Sequence, residues 1–182
     1  MSELRTNKIY PRDGLPAGAS SGGIIQTVSK SYQTETIITL ANGYTPLTSA
    51  SITIKPSSLS SKIIFEYNLQ IWVKSSTNAA FCGVRIKRGS DVIYTPHTPS
   101  GGANGSPEYG LAVSGGTSTS LWTRGSLKLL DTPASTSDVT YTLEASLYQT
   151  TGSAQAYFNY DGYATPATSF LHLTEVCGWP LP

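Results

Sequence analysis

The chain has 182 residues and a formal net charge of +1, and 38% of its residues are hydrophobic while 13% are charged. This length predicts roughly one domain with a substantial core, and the near-neutral charge argues against general binding to nucleic acid. No apolar run is long enough to span a membrane, and the first residues lack the apolar segment of a signal peptide, so we expect the protein to stay in the cytosol of the cell that makes it.

Residues 1–23 have the composition of an extended N-terminal arm. Pro, Gly and Ser are frequent there, no periodicity survives, and the few apolar anchors include Leu4, Ile9 and Tyr10. A disordered terminus and a segment that docks on a partner both fit this composition. We place a boundary after the arm, and residues 24–182 form the predicted domain.

From Ile24 onward, short β-rich runs alternate with clusters of turn residues. No stretch keeps helical spacing over three turns, so the pattern predicts an all-β domain. The predicted strands are Ile24 to Lys30, Glu35 to Ala41, Ala50 to Ile54, Lys62 to Lys74, Phe81 to Arg88, Val92 to Thr95, Tyr109 to Val113, Leu121 to Leu130, Val139 to Gln149, Gln155 to Asp161 and Phe170 to Val176.

The longest predicted strand, Lys62 to Lys74, alternates strictly between two faces. Its odd positions are all apolar, and a half-buried strand of about 40 Å needs a second sheet to cover it. We therefore predict an antiparallel, jelly-roll-like β-sandwich preceded by the extended arm. On the even face, Ile64 and Trp72 stand among polar residues. A loop folded over Trp72 and a contact with another subunit are both open explanations.

The run VRIKRGSDVIYT predicts a hairpin that turns at Gly89, the first central position of a two-residue turn. Closing the hairpin there pairs Arg88 with Asp91 and Ile86 with Ile93, so that charge meets charge and apolar meets apolar.

Residues with catalytic or metal-binding potential form no recognised motif. His97 and His172 lack the spacing of a zinc site and have no evident partner, so we expect no catalytic residue, no metal and no cofactor. We interpret Asp131, Glu144, Asp161 and Glu175 as turn caps and solvent-facing strand residues rather than as members of a glycosidase pair.

Aromatic residues are the most suggestive group. Tyr157, Tyr160 and Tyr163 cluster in AYFNYDGYATP, and Tyr109 flanks the longest irregular stretch of the domain. Rings beside Asn, Asp and Gln suit sugar recognition, because C–H groups stack on the rings while hydroxyls form hydrogen bonds. Strand tyrosines also cover core edges, so a glycan site and ordinary packing are both open.

Several of these segments resemble a known group of proteins. SITIKPSSLSSKIIFEYNL, the GVRIKRGSDVI hairpin, LLDTPASTSDVTYTLEAS and SFLHLTEV are similar in order and spacing to β-rich structural proteins of tailed bacteriophages, especially marine and cyanobacterial phages. The opening MSELRTNKIYPRDG resembles the start of tail-fibre-type proteins, in which a short N-terminal segment fastens the chain to the virion. The resemblance implies a virion component assembled in the host cytoplasm.

Taken with the arm, the resemblance leads us to expect a non-enzymatic tail-fibre tip, receptor-binding tip or adaptor. Its expected partners are other virion proteins through the arm, two further copies in a homotrimer, and a host surface polysaccharide, with no membrane insertion. A capsid decoration or head-fibre protein is the first alternative, and a polysaccharide depolymerase is the second.

Overall fold

The computed structural model describes residues 23–39, 43–76, 80–96, 112–114, 119–149, 153–160, 162 and 167–176. Leu4, Ile9 and Tyr10 of the predicted arm lie outside these ranges. The described residues form strands and connections, with no helix among them. The strands are β1 (Ile24–Tyr32), β2 (Thr36–Thr39), β3 (Thr45–Ile54), β4 (Lys62–Ser75), β5 (Ala80–Arg88), β6 (Asp91–Tyr94), β7 (Ala112–Ser114), β8 (Thr119–Asp131), β9 (Val139–Gln149), β10 (Ala154–Phe158) and β11 (Ser169–Val176).

Two antiparallel sheets confirm the predicted β-sandwich. The first sheet contains β1, β2, β4, β8, β10 and β11, and the second contains β3, β5, β6, β7 and β9. From β3 to β5 and from β8 to β10 the chain passes from one sheet to the other at each step, which gives the sandwich its jelly-roll-like character. Nearly every predicted strand is present, with ends that differ by a few residues.

Strand β4 is the centre of the first sheet. Its odd-numbered side chains, from Ile63 to Val73, are all buried, as the alternation predicts. They face the apolar side of β9, where the Phe65 ring stacks on the Tyr141 ring with centroids 5.5 Å apart. One edge of β4 pairs with β8 along its whole length, while the other edge pairs first with β11 and then with β10.

Strands β10 and β11 are two parts of one interrupted strand. Phe158 lies opposite Ile71 and Phe170 lies opposite Asn68. The chain therefore advances twelve residues between two partners that are three residues apart on β4. The nine extra residues, 160–168, are an insertion in the strand, and we call them the 160–168 insertion.

Asn159 closes the base of this insertion. Its backbone N–H donates to the Gln70 carbonyl at 3.2 Å, and its side-chain oxygen accepts a hydrogen bond from the Ser169 hydroxyl at 2.5 Å. Its side-chain nitrogen donates to the carbonyls of Tyr32 and Thr34, where β1 gives way to β2. The φ angle of Asn159 is +56°, a left-handed conformation that Asn adopts more readily than most residues.

The predicted hairpin between β5 and β6 is correct at the turn and wrong further along. Arg88 pairs with Asp91, and Gly89 has a φ of +56° as its turn position requires. One step later the register shifts, so that Ile86 lies opposite Tyr94 instead of Ile93. The sequence does not predict this irregularity, because an extra residue in the partner strand leaves the residues of the turn itself unchanged.

Candidate binding surface on the first sheet

A row of aromatic side chains crosses the outer face of the first sheet. Trp122 on β8, Trp72 on β4 and Tyr157 on β10 lie directly opposite one another in register. Neighbouring ring centroids are 4.9 Å and 4.7 Å apart, which is close to the spacing between strands, so the rings stand on edge and stack face to face. We call these three residues the aromatic row, and Ile37 on β2 continues its line.

Tyr160, the first residue of the 160–168 insertion, covers this row. Its ring centroid lies 4.5 Å from that of Trp72, and its plane is steeply inclined to all three rings of the row. A Cβ at position 162 would overlap the Tyr160 ring, so Gly162 allows the chain to pass close to it. A covering segment is one of the two explanations for Trp72. The contact of Ile64 and Trp72 with another subunit stays a prediction.

Two polar atoms of this face are buried without a hydrogen-bond partner among the described residues. They are the indole nitrogen of Trp72 and the side-chain oxygen of Gln70, which lie two positions apart on β4. An unsatisfied buried donor or acceptor costs about 1–3 kcal/mol.

Tyr157 is anchored at the inner end of the row. Its hydroxyl donates to the side-chain oxygen of Gln155 at 2.7 Å. Burial raises the pKa of Tyr157, and the nearby Tyr160 and Glu35 raise it further, so the hydroxyl remains a neutral donor at physiological pH.

Polar side chains border the aromatic row on both sides. Two residues further along each strand, and on the same face, the side chains that lie opposite one another are those of Ser120, Lys74 and Gln155. On the other side Arg124 lies opposite Gln70, and its guanidinium donates to the side-chain oxygen of Asn68 at 2.9 Å. The row is thus an apolar strip between two polar strips.

The opposite end of the same face is apolar and lies where β1 begins. Ile64 lies opposite Leu130, which is 57% exposed. The first residue of β1, Ile24, pairs with Val176, which in turn pairs with Lys62 at the start of β4. The start of β1 is therefore about 33 Å along β4 from the aromatic row.

Between the two ends lies a hydrogen-bonded histidine that the sequence pattern did not reveal. The Ser29 hydroxyl is 2.6 Å from Nδ1 of His172. Glu66 is the cross-strand neighbour of His172, but its carboxylate pairs with the Lys128 ammonium at 2.8 Å. Ser29 and His172 thus form a surface pair with no orienting carboxylate among the described residues, which is not the arrangement of an activated nucleophile.

The interpretation of four carboxylates as turn caps and solvent-facing residues is wrong for three of them, and the fourth, Asp161, lies outside the described residues. Glu144 and Glu175 are buried, and Glu144 binds Arg85 with a nitrogen–oxygen distance of 2.5 Å. Asp131 accepts hydrogen bonds from Arg88 at 2.8 Å and from the Tyr141 hydroxyl at 2.8 Å. Strand alternation alone does not predict these positions, because their burial depends on partners from distant strands.

Of the predicted glycan-binding residues, the structure brings Tyr157 and Tyr160 into one cluster. Tyr109 and Tyr163 lie outside the described residues. The residue that sequence reasoning missed is Trp122, which is 43% exposed and forms one end of the row. Its signal was present in the sequence, because pairing β8 with β4 as neighbouring antiparallel strands would have set two tryptophans side by side.

Comparisons with known proteins give no family. No protein-family model matches the chain, and no curated protein matches it. Among solved structures, the infectious bursal disease virus VP2 subviral particle matches with a TM-score of 0.39 and 14% identity, over 84% of this chain and 40% of that one. The Gx strain of the same virus matches with a TM-score of 0.35 and 12% identity, over 97% and 44%. The chain spans less than half of these proteins, and no conclusion below rests on them.

No three His, Cys, Asp or Glu side chains of the described ranges are placed to hold a metal ion. None of the described residues belongs to a helix that is long and apolar enough to cross a membrane.

Proposed function

We propose that the protein is a non-enzymatic structural component of a tailed-phage virion, a tail-fibre tip, receptor-binding tip or adaptor that its N-terminal arm fastens to the particle. The observation that carries this proposal is the difference between the two ends of the first sheet. β1, the strand that follows the predicted arm, begins at one end of this sheet, and the aromatic row lies near the other end. A protein that is anchored at one end and presents a surface at the other suits an attachment role.

Apolar side chains on the outer face support association with further copies. Leu130 and Phe170 are large, exposed and on the same side of the sheet as Ile64. Exposed apolar groups of this kind mark interaction surfaces. A homotrimer would bury the end that contains Ile64 and Leu130, close to the arm, and leave the aromatic row at the distal end.

The charged groups of the described core have structural roles, which favours a non-enzymatic protein. Asp131 and Glu144 are engaged by arginines from β5, and Glu175 by donors from β1 and from the connection between β3 and β4. A glycosidase would need two carboxylates that face a common cleft. Here each of the three carboxylates instead holds one strand or connection to another.

Deletion of residues 1–23 tests the anchoring role. We expect the truncated protein to keep its folded domain and a mass in solution of three chains, but to be absent from purified particles when it replaces the intact protein. Circular dichroism and light scattering check the fold and the mass, and immunoblotting of the particles checks incorporation. Normal incorporation of the truncated protein would rule out the arm as the anchor.

Two alternatives differ from this proposal in observable ways. A capsid decoration or head-fibre protein would be found on the head rather than the tail when intact particles are labelled and imaged. A depolymerase would release new reducing ends from host polysaccharide, whereas a binding protein would leave the polymer intact.

A further inference from the structure

We propose that the aromatic row and its cationic borders bind an acidic oligosaccharide, a run of uronic acid sugars, at the end of the sandwich away from the arm. This inference rests on the proposed function in one respect, which is that this end of the sandwich faces away from the particle. Sugar binding itself can be measured on the isolated protein.

Aromatic rings supply the first part of the site. Trp122 stands at the border of the sheet with 43% of its surface exposed. The Tyr160 ring meets it at 65° with centroids 5.6 Å apart, so the two rings stand at a steep angle to each other. The C–H groups of a sugar ring pack well on such surfaces, while its hydroxyls remain free for polar contacts.

Polar side chains at the right distance supply the second part. The polar border on one side of the aromatic row consists of Ser120, Lys74 and Gln155. Each lies two residues along its strand from a member of the row. Gln155 accepts a hydrogen bond from Tyr157 through its oxygen, which leaves its amide nitrogen as a donor. A sugar lying across the rings can therefore bond through its hydroxyls along this border.

Positive charge on both borders selects an acidic sugar. Lys74 and Arg124 lie on opposite sides of the row, four residues apart in register, or about 13 Å. Among the described residues, Arg124 contacts the neutral oxygens of Asn68 and Thr168, and Lys74 has no acidic partner. Glu35 immediately precedes β2, which pairs with β10 on the side away from β4 and Trp122. The charged side chains described around Trp122 are therefore cations, which complement the carboxylates of uronic acids.

The unsatisfied atoms of β4 fit the same interpretation. The Trp72 indole nitrogen and the Gln70 side-chain oxygen are a buried donor and a buried acceptor on this face with no partner among the described residues. A turn of the Tyr160 side chain away from Trp72 would open them to a bound sugar. The cost of burying them unpaired would then be recovered on binding.

Tryptophan fluorescence and calorimetry with defined polymers test the proposal. The probes are oligomers of galacturonic acid and of alginate, each compared with its neutral methyl ester. We expect the acids to bind and to change the fluorescence, and the affinity to fall as salt is raised. Trp122→Ala should weaken binding about tenfold, as the loss of one aromatic contact implies. Lys74→Gln and Arg124→Gln should each weaken it about threefold.

Phe170→Ala is the matched control, because Phe170 is a similarly exposed aromatic residue on the same face but outside the aromatic row. It should leave the affinity unchanged. The absence of binding to either acid would overturn the proposal, and so would equal binding of the methyl esters. If Trp122→Ala proves unstable in thermal melting, the exposed Lys74 variant alone decides. Particle incorporation of the same variants is scored separately, so that loss of sugar binding with normal incorporation contradicts this inference and not the proposed function.

Discussion

Glu175 shows how one buried carboxylate organises the surface connection between β3 and β4. It accepts hydrogen bonds from the backbone and hydroxyl of Ser57, from the Ser61 hydroxyl at 2.6 Å, and from the Gln26 amide at 2.5 Å. Burial raises its pKa, but these donors outweigh burial and hold the pKa below the ordinary 4.5. The carboxylate therefore stabilises the fold as an anion.

This carboxylate gives the protein an acid-sensitive component of stability. Because the folded-state pKa is the lower one, the contribution is complete above the unfolded-state value and is lost as the pH falls through the folded-state value. Glu175→Gln should lower the free energy of unfolding at pH 7 by about 2–4 kcal/mol, because several charge-assisted hydrogen bonds are lost. The difference between the variant and the natural protein should shrink between pH 5 and pH 3.

Urea unfolding across that range measures this difference. Glu66→Gln is the control, since Glu66 sits on the outer face of the same sheet in an exposed ion pair with Lys128. It should cost less than about 1 kcal/mol. A gap between Glu175→Gln and the natural protein that stays constant from pH 5 to pH 3 would contradict the role given to the carboxylate.

At the scale of elements, the 160–168 insertion can be tested by removing it. Deleting all nine residues joins Asn159, opposite Gln70, directly to Ser169, whose position in register is opposite Leu69. The alternation of β11 is then preserved, and we expect a folded sandwich with β10 and β11 as one strand. Loss of the Tyr160 cover should change the near-ultraviolet circular dichroism of the tryptophans.

The matched control deletes eight residues, 160–167. This shift by one position would turn Leu171 and Leu173 from the core to the solvent, because side chains alternate along a strand. The shorter deletion should therefore destabilise the protein far more than the longer one, as measured by thermal unfolding. Equal stability of the two would mean that β10 and β11 are not one interrupted strand.

The same elements show what could be predicted from the sequence. The period of two in β4 and β9 places Phe65 and Tyr141 in the core, because alternation is a local property. Long-range pairing is a different matter. The sequence does not reveal that β10 and β11 share one edge of β4, and so it could not bring Tyr160 onto Trp72 or Trp122 beside it. The sequence therefore predicted the tyrosines and Trp72 of the candidate site, but it did not predict Trp122 or the contacts among these rings.

At the scale of the whole molecule, three hydrogen-bonded side chains link the two sheets at one end of the sandwich. Asp131 closes β8 in the first sheet, and it accepts hydrogen bonds from Arg88 and Tyr141 of the second. Burial raises the pKa of Tyr141, and the hydrogen bond to Asp131 raises it further, so the hydroxyl remains a donor. Apolar packing holds the sheets face to face, and this group fixes their ends.

Asp131→Ala should loosen this end, because it removes the shared acceptor and leaves the Arg88 guanidinium without its closest carboxylate. We expect a loss of about 3 kcal/mol in the free energy of unfolding, which corresponds to roughly 6–12 °C in melting temperature for a domain of this size. Asp91→Ala provides the control, since Asp91 contacts the same Arg88 at 3.8 Å but is largely exposed. That change should cost no more than about 0.5 kcal/mol. Similar losses for both variants would show that Arg88 needs only a nearby negative charge, and that the two sheets are held together at this end by apolar packing alone.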